Sequence, residues 1–146
     1  MIVVLDASVI LKWLIEDPER KADTDRAIAL VEAVVRGELE VRQPAHWLVE
    51  VGAVLARLSP ETAVDDVAWL SGLELPIQDD PVVLSRATRI AVETGQHLFD
   101  TLYHAIAMET ASATLVTADE RYLAKAGSLG RIVALRDWSD AEAGGR

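Results

Sequence analysis

Four acidic side chains have the residue types and positions of a carboxylate metal site: Asp6, Glu50, Asp100 and Asp119. Carboxylates gathered within hydrogen-bonding range of one another repel strongly unless a cation joins them. Ligation by oxygen alone suits Mg²⁺ or Mn²⁺. Such ions assist phosphodiester cleavage, because they activate water and stabilise charge on the attacking and leaving oxygens. If the four acids converge in the fold, they indicate a metal-dependent hydrolase of phosphodiester bonds.

Two of the acids lie just beyond short apolar runs. Asp6 follows the run Ile2–Leu5, and one residue separates Asp119 from the run at residues 114–117. In an open parallel sheet, ligands bind in the crevice beyond the carboxyl ends of the strands. We therefore expect both acids at the edge of the sheet where such a crevice forms.

Helix capping is an alternative role for these two aspartates. Asp6 could cap a helix that begins near Ser8, which is a common use of aspartate after a strand. Thr117 and Glu120 have the spacing of a capping box, in which case Asp119 would only favour the positive end of a short helix. Taken separately, neither position distinguishes a cap from a ligand.

The other two acids also have ordinary alternatives. Glu50 lies among apolar residues in the stretch WLVEVGAVLARL, where a charge normally needs a partner or a metal. It could instead occupy an exposed strip of the same helix, beside His46 and Arg57. Asp100 precedes a helical pattern and could simply cap that helix. The combination of all four acids, rather than any one of them, favours a site.

The composition restricts the kind of metal. The chain has 146 residues, which fits one domain, and it contains no cysteine. Disulfides, thiolate catalysis and cysteine-ligated zinc or iron–sulfur clusters are therefore excluded, and a metal must sit on oxygen or imidazole. The amino-terminal segment has no basic leader, and no later stretch approaches the ~20 apolar residues of a membrane span. We expect a soluble, cytoplasmic protein.

The net charge opposes one mode of nucleic-acid binding. With 14 basic and 24 acidic residues, the net charge is −10. A broad positive surface that grips phosphates is therefore not expected. A cluster of acids that binds divalent cations would still present a locally positive field to a phosphodiester.

The pattern of apolar residues predicts an α/β fold with a parallel sheet covered on both faces, because short β-branched runs alternate with longer amphipathic stretches. The predicted strands are residues 2–5, 40–42, 75–77, 114–117 and 131–134. The predicted helices include residues 23–36, 45–58, 60–71, 81–94 and 100–112, with Ser59 and Asp80 as caps before prolines and Gly95 as a carboxyl-terminal cap. Residues 1–138 form the predicted domain, and residues 139–146 form a predicted flexible tail.

Four segments in this order resemble the motifs of the PIN-domain ribonucleases, and in particular the VapC-type toxins of bacterial toxin–antitoxin pairs. The segments are VVLDASVILKW, PAHWLVEVGAVLAR, FDTLYHAIAMETAS and TLVTADERYL, and together they span nearly the whole chain. The resemblance implies a three-layer α/β/α domain with a five-stranded parallel sheet. It also implies a metal-dependent endoribonuclease that forms a homodimer and whose active-site groove is covered by a segment of a cognate antitoxin.

Carried over by position, the acidic quartet of that family falls on the four acids named first. The resemblance implies that Asp6 and Asp100 bind Mg²⁺ or Mn²⁺ directly. Glu50 and Asp119 would complete the site, by binding a second ion or orienting the water. Ser8 and Thr117 match small hydroxyl positions that support the acids through hydrogen bonds.

Two other functions are compatible with an acidic groove. A magnesium-dependent phosphohydrolase could use a strand-end aspartate as a nucleophile, although Asp6-Ala7-Ser8 lacks the second aspartate of the commonest such motif. A non-catalytic module could use the groove only to bind a basic peptide. His104, one helical turn from Asp100, is interpreted as a residue of a half-buried helix with a local hydrogen bond rather than as a metal ligand, and His46 and His97 show no partner pattern.

Overall fold

The protein is an α/β domain built on a parallel sheet, as a computed structural model describes it for residues 1–139. Four strands, β1 to β4, occupy Ile2–Leu5, Glu40–Val41, Ala113–Thr117 and Ile132–Ala134. Their order in the sheet is β2-β1-β3-β4, and each neighbouring pair is parallel. The predicted fold class is therefore confirmed. The side chains of β1 and β3 are almost all buried, because both strands lie in the interior of the sheet.

Seven helices of more than one turn connect and cover the strands within residues 1–139. In chain order, α1 to α7 are Ala7–Leu14, Lys21–Val35, Trp47–Leu58, Ala63–Gly72, Pro81–Thr94, Leu98–Glu109 and Glu120–Ala126. Helix α6 packs against β1 and β3, and α1 packs against β3. Helix α5 packs along α6. None of these helices is long and apolar enough to cross a membrane.

The chain reverses direction across the sheet between β1 and β3. From β1 the chain moves outward to β2, and it then returns past β1 to form β3 and β4. Such a topological switch point opens a crevice at the carboxyl ends of the two central strands, because the connections leave in opposite directions. The backbone N–H of Asp6 donates to the carbonyl of Val116 at 3.1 Å, so Asp6 and the end of β3 are held side by side at this crevice.

The prediction of a fifth strand at residues 75–77 is wrong. This segment makes only one parallel bridge, between Gln43 and Ile77. Gln43 donates its backbone N–H to the carbonyl of Pro76, and Gln78 donates to the carbonyl of Gln43. Pro76 has no N–H with which to continue a ladder, and Glu74 has a positive φ of 49° that breaks the extended run before it. The sheet of the described residues therefore ends at β2.

The side chain of Gln43 extends the sheet in place of backbone. It is fully buried, and its Oε1 accepts the N–H of Leu5 at 2.8 Å while its Nε2 donates to the carbonyl of Leu5 at 2.9 Å. These two bonds satisfy the last backbone groups of β1 where β2 has already ended. The position of Asp6, the next residue, depends on this pairing.

Four predicted helix starts need correction. The helices predicted from residues 23 and 45 begin at Lys21 and Trp47. The helix after Ser59 begins at Ala63 rather than residue 60, because residues 60–62 form a turn. The helix predicted from Asp100 begins at Leu98, since His97 is its cap. The caps at Asp80 and Gly95 are confirmed: Asp80 accepts the N–H of Val83, and Gly95 has a φ of 69°. The tail predicted from residue 139 lies, after that residue, outside the described part of the chain.

Candidate active site

Asp6 lies at the carboxyl end of β1 and is both a helix cap and a buried acid. Its Oδ2 accepts the backbone N–H of Ser8 at 3.1 Å and the Ser8 hydroxyl at 2.5 Å. Thr117 Oγ1 also lies 3.4 Å from the same oxygen. Only 9 % of Asp6 is exposed. Because all these bonds fall on Oδ2, capping of α1 leaves the Oδ1 of Asp6 outside them.

The hydroxyls of Ser8 and Thr117 join the ends of β1 and β3. Ser8 Oγ accepts the backbone N–H of Ala118 at 3.0 Å, and Thr117 Oγ1 accepts that of Asp119 at 3.0 Å. The two hydroxyl oxygens are 3.5 Å apart. Both side chains therefore fix the turn after β3 against Asp6, which is consistent with the supporting role predicted for them.

Asp119 is the cap of α7. Its Oδ1 accepts the N–H of Tyr122 at 3.0 Å. The capping box considered for Thr117 and Glu120 is therefore not what caps this helix. The reason is geometric: Thr117 still belongs to β3, and its hydroxyl is used two residues further on, by the N–H of Asp119. The Oδ2 of Asp119 takes no part in the cap.

Glu50 is held on one oxygen by two side chains from different directions. Tyr103, which is fully buried on α6, donates its hydroxyl to Glu50 Oε2 at 3.2 Å. His46, one turn earlier on the chain, places Nε2 3.0 Å from the same oxygen without the alignment of a hydrogen bond. Glu50 is only 27 % exposed. The alternative that Glu50 lies on an exposed strip of the helix is therefore wrong, because the side chain is mostly buried. His46 is nevertheless its neighbour, as that alternative stated.

Asp100 lies in the first turn of α6 and does not cap it. His97 supplies the cap, because its Nδ1 accepts the N–H of Phe99 at 3.2 Å. Asp100 is therefore free of the capping role proposed as its alternative. Sequence reasoning set His46 and His97 aside, yet the charge of each opposes the rise in the pKa of Asp100 that burial and the neighbouring acids cause. The only sequence signal for them was proximity, since one precedes Glu50 by a turn and the other precedes Asp100 by three residues.

Electrostatic interactions link the four acids to one another. Burial, helped by the charges of Glu50 and Asp100, raises the pKa of Asp6 to about 6, although the hydrogen bonds from Ser8 oppose the rise. Burial likewise raises the pKa of Asp100, followed by the charges of Glu50 and Asp119. Each of the four carboxylates thus takes part in at least one repulsive coupling with another. Acids separated by more than a hundred positions in sequence are therefore close enough in the fold for their charges to interact.

The carboxylate oxygens of the four acids suit a hard divalent cation, although their side chains are not arranged around a metal position. Carboxylate oxygens with unbalanced mutual repulsion are the chemistry that Mg²⁺ or Mn²⁺ neutralises. Among residues 1–139, no group of three or more histidine or acidic side chains is arranged to hold an ion as it stands. The contacts described above engage a single oxygen on each of Asp6, Glu50 and Asp119. The second oxygen of each of these carboxylates takes no part in those contacts.

His104 is a structural residue, as its sequence position predicted. It is fully buried on α6, and its Nε2 lies 2.7 Å from the carbonyl of Gly130, to which it must donate. Its Nδ1 therefore accepts from the hydroxyl of Tyr122, 2.9 Å away. Burial lowers the pKa of His104, so the ring stays neutral and links α6 to α7.

Asp6 should make the metal-free protein less stable as pH rises. The unfolded carboxyl ionises near pH 3.8 and the folded one near pH 6, so the native state binds more protons between these values. The stabilisation is fully present below pH 3.8 and is lost as pH rises through 6. It amounts to ~3 kcal/mol by the usual conversion. We expect the stability of Asp6→Asn to rise relative to wild type between pH 4 and 7, measured by urea unfolding in EDTA.

As pH rises, the free energy of unfolding of the wild type should therefore fall relative to that of Asp6→Asn. Asparagine caps a helix about as well as aspartate, so loss of the cap adds no pH dependence of its own. Parallel stability curves for the two proteins would show that the carboxyl of Asp6 is not destabilised by burial.

Comparison with known proteins assigns the family. No curated protein matches the chain. A family model described as PIN domain matches residues 3–128, which include β1 except its first residue, β2, β3, all seven helices and the four acids. PIN domains are nuclease-type domains and are generally metal-dependent. The match covers most of the sequence, and this chain therefore belongs to the PIN domain family.

Proposed function

We propose that this protein is a metal-dependent endoribonuclease and that it is the toxin of a VapC-type toxin–antitoxin pair. The observation that carries the nuclease proposal is the mutual repulsion of Asp6, Glu50, Asp100 and Asp119 at the switch point of the sheet. Such a cluster is costly for the fold unless a cation compensates it. A divalent ion and a phosphodiester substrate are the partners that this chemistry fits best.

Each acid has a proposed role. Asp6 and Asp100 would hold the ion, since both have raised pKa values and neither forms an ion pair with a basic side chain of residues 1–139. Glu50 and Asp119 hold a second ion or orient the attacking water. When bound, Mg²⁺ or Mn²⁺ would supply an activated water and neutralise charge on the phosphate. Tyr103 keeps Glu50 oriented, because burial and neighbouring acids raise its pKa and keep its hydroxyl protonated as a donor.

Charge supports a basic partner. The net charge is −10, and the active-site crevice is lined by acids. A basic, flexible segment of an antitoxin would gain favourable charge pairing there, which offsets the free energy of ordering it. We further propose that the toxin is a homodimer that acts in the cytoplasm on single-stranded RNA.

The first test is the metal dependence of RNA cleavage. We expect the purified protein to cleave single-stranded RNA in Mg²⁺ or Mn²⁺ and to lose the activity completely in excess EDTA, because the acid cluster cannot activate water or receive phosphate charge alone. Fragments are resolved on denaturing gels. Cleavage that persists in EDTA would contradict the proposal. A trapped phospho-aspartate would instead indicate the phosphohydrolase, and RNA binding without cleavage would indicate a non-catalytic module.

The toxin role has its own test. Expression of the protein should arrest bacterial growth, and co-expression of a small basic protein encoded immediately upstream should restore it. The Asp100→Asn variant serves as the control for effects of overexpression. Growth that continues while the purified enzyme cleaves RNA would leave the nuclease proposal standing and reject the toxin.

A further inference from the structure

A small cavity adjoins the candidate active site. It has a volume of about 150 Å³, and its wall includes His46, Phe99, Leu84, Leu102, Asp79 and Asp80. His46 is the residue beside Glu50, and Phe99 directly precedes Asp100. His46 therefore contacts Glu50 of the acid cluster and also lines the cavity. We call this cavity the Phe99 pocket.

Phe99 presents an aromatic ring to solvent at this place. Its side chain is 52 % exposed, which is unusual for the largest apolar side chain of the segment. The ring stacks on His46, with centroids 5.0 Å apart and an interplanar angle of 27°, and it contacts the His97 ring at 4.8 Å. Two histidines thus hold the phenylalanine in place. The result is a fixed aromatic face beside the acids rather than a loose surface side chain.

A nucleobase is the ligand that fits such a face. Proteins bind single-stranded RNA largely by stacking unpaired bases on aromatic side chains. The net charge of −10 weakens the general attraction of this protein for phosphates, so contacts with the bases become more important for RNA binding. The phosphate itself would meet the neighbouring acid cluster with its metal. Stacking beside the cluster would therefore select where the RNA is cut.

The polar wall of the pocket suits a base rich in N–H donors. Asp79 is exposed and Asp80 is half-buried, and the helix cap occupies only Oδ1 of Asp80. Carboxylates accept hydrogen bonds and repel carbonyl oxygens. Guanine offers adjacent imino and amino N–H groups on its Watson–Crick edge, whereas uracil offers a single imino N–H between two carbonyls. The wall therefore favours guanine over uracil.

We propose that the Phe99 pocket binds an unpaired guanine of the RNA next to the scissile phosphate. This inference rests on the proposed nuclease function, which it makes more specific. It assigns Phe99 as the stacking residue and the two aspartates as acceptors that read the edge of the base. A basic peptide segment is the competing occupant.

A single fluorine label tests the occupant directly. Phe99 is the only phenylalanine of the chain, so fluorophenylalanine gives one ¹⁹F signal that reports this pocket alone. We expect the signal to shift on titration with guanosine monophosphate, to shift least with uridine monophosphate, and to stay unchanged with ribose 5-phosphate. No shift with any nucleotide would overturn the proposal, and so would a shift produced only by an oligo-arginine peptide.

Substitutions then test the stacking. Phe99→Leu should weaken binding of guanosine monophosphate about tenfold, and Phe99→Tyr should retain it, as measured by line broadening of the base protons. Trp69→Leu is the matched control, since Trp69 is also exposed, at 46 %, but lines a separate cavity between α2 and α4. Equal binding by Phe99→Leu and wild type would overturn the proposal.

This outcome is separable from that of the nuclease proposal. Binding of free nucleotide needs no cleavage, so a ¹⁹F shift without nuclease activity would leave the pocket and reject the enzyme. Cleavage of RNA with the same efficiency at guanine and uracil positions, and with no ¹⁹F shift, would do the reverse.

Discussion

Replacing Asp100 by asparagine should reduce RNA cleavage by at least about 100-fold while the protein stays as stable as wild type or becomes more stable. The loss of activity follows because a proposed metal ligand loses its charge. The retained stability follows from the structure: His97, not Asp100, caps α6, and no hydrogen bond among residues 1–139 engages the Asp100 carboxylate. Removal of this charge also relieves repulsion from Glu50 and Asp119.

Asp65→Asn is the matched control for this substitution. Asp65 also lies in the first turn of a helix, α4, but it is exposed and takes no part in the acid cluster. It should retain full cleavage and lose at most a few tenths of a kcal/mol from the weaker interaction with the helix dipole. Both variants are compared by single-turnover cleavage and by thermal melts with and without Mg²⁺. Unfolding of Asp100→Asn, or its full activity, would contradict the assignment.

Addition of Mg²⁺ should distinguish the two proteins in the melt as well. Wild type should gain thermal stability with metal, because an ion that binds only the folded state stabilises it by mass action. Asp100→Asn should gain less, since it has lost a ligand. Equal metal-induced shifts for both proteins would remove Asp100 from the metal site even if cleavage fell.

Sequence alone could place two of the acids, because their positions follow from strands. Asp6 and Asp119 come after buried runs, and parallel strands bring their carboxyl ends to one edge. A capping role does not exclude a role in the proposed site at these positions. Each aspartate uses one oxygen for the cap, and its other oxygen takes no part in it. A pattern of residue types cannot show this division, since it depends on the direction of each carboxylate.

The residues that contact Glu50, and the residue that caps the helix of Asp100, could not be predicted from the sequence. Tyr103 reaches Glu50 across 53 positions of sequence, and its contact depends on how α6 packs near α3. His97 replaces Asp100 as the cap, although histidine is a less common cap than aspartate. Local preference failed here because the backbone enters α6 two residues earlier than the spacing of apolar residues indicates.

The number of strands shows a similar limit. The run at residues 75–77 is apolar and short, which satisfies the criteria for a buried strand. Pro76 lacks the N–H that a strand ladder needs. The side chain of Gln43, rather than another strand, hydrogen-bonds the backbone at the end of β1. A propensity pattern records residue types, but it does not count which backbone groups find partners.

Replacing Gln43 by alanine should destabilise the fold by about 3 kcal/mol or more. The side chain is fully buried and makes both of its hydrogen bonds with the backbone of Leu5. Its removal leaves a donor and an acceptor without partners in the interior, at a cost of roughly 1–3 kcal/mol each, and it opens a cavity. Gln43→Leu should recover only the packing, since leucine fills volume but satisfies neither group. Urea unfolding at neutral pH measures all three proteins.

Gln78→Ala is the control that separates burial from amide chemistry. Gln78 is half-buried, and its side chain accepts one hydrogen bond, from Thr110 at 3.1 Å. Water can replace that partner, so its loss should cost about 1 kcal/mol or less. Because Asp6 follows Leu5, the Gln43 variants should also lose RNA cleavage beyond their loss of folded protein. Gln78→Ala is a control for stability only, since Gln78 also lines the Phe99 pocket. Equal stability losses for Gln43→Ala and Gln78→Ala would show that the end of β1 does not depend on this side chain.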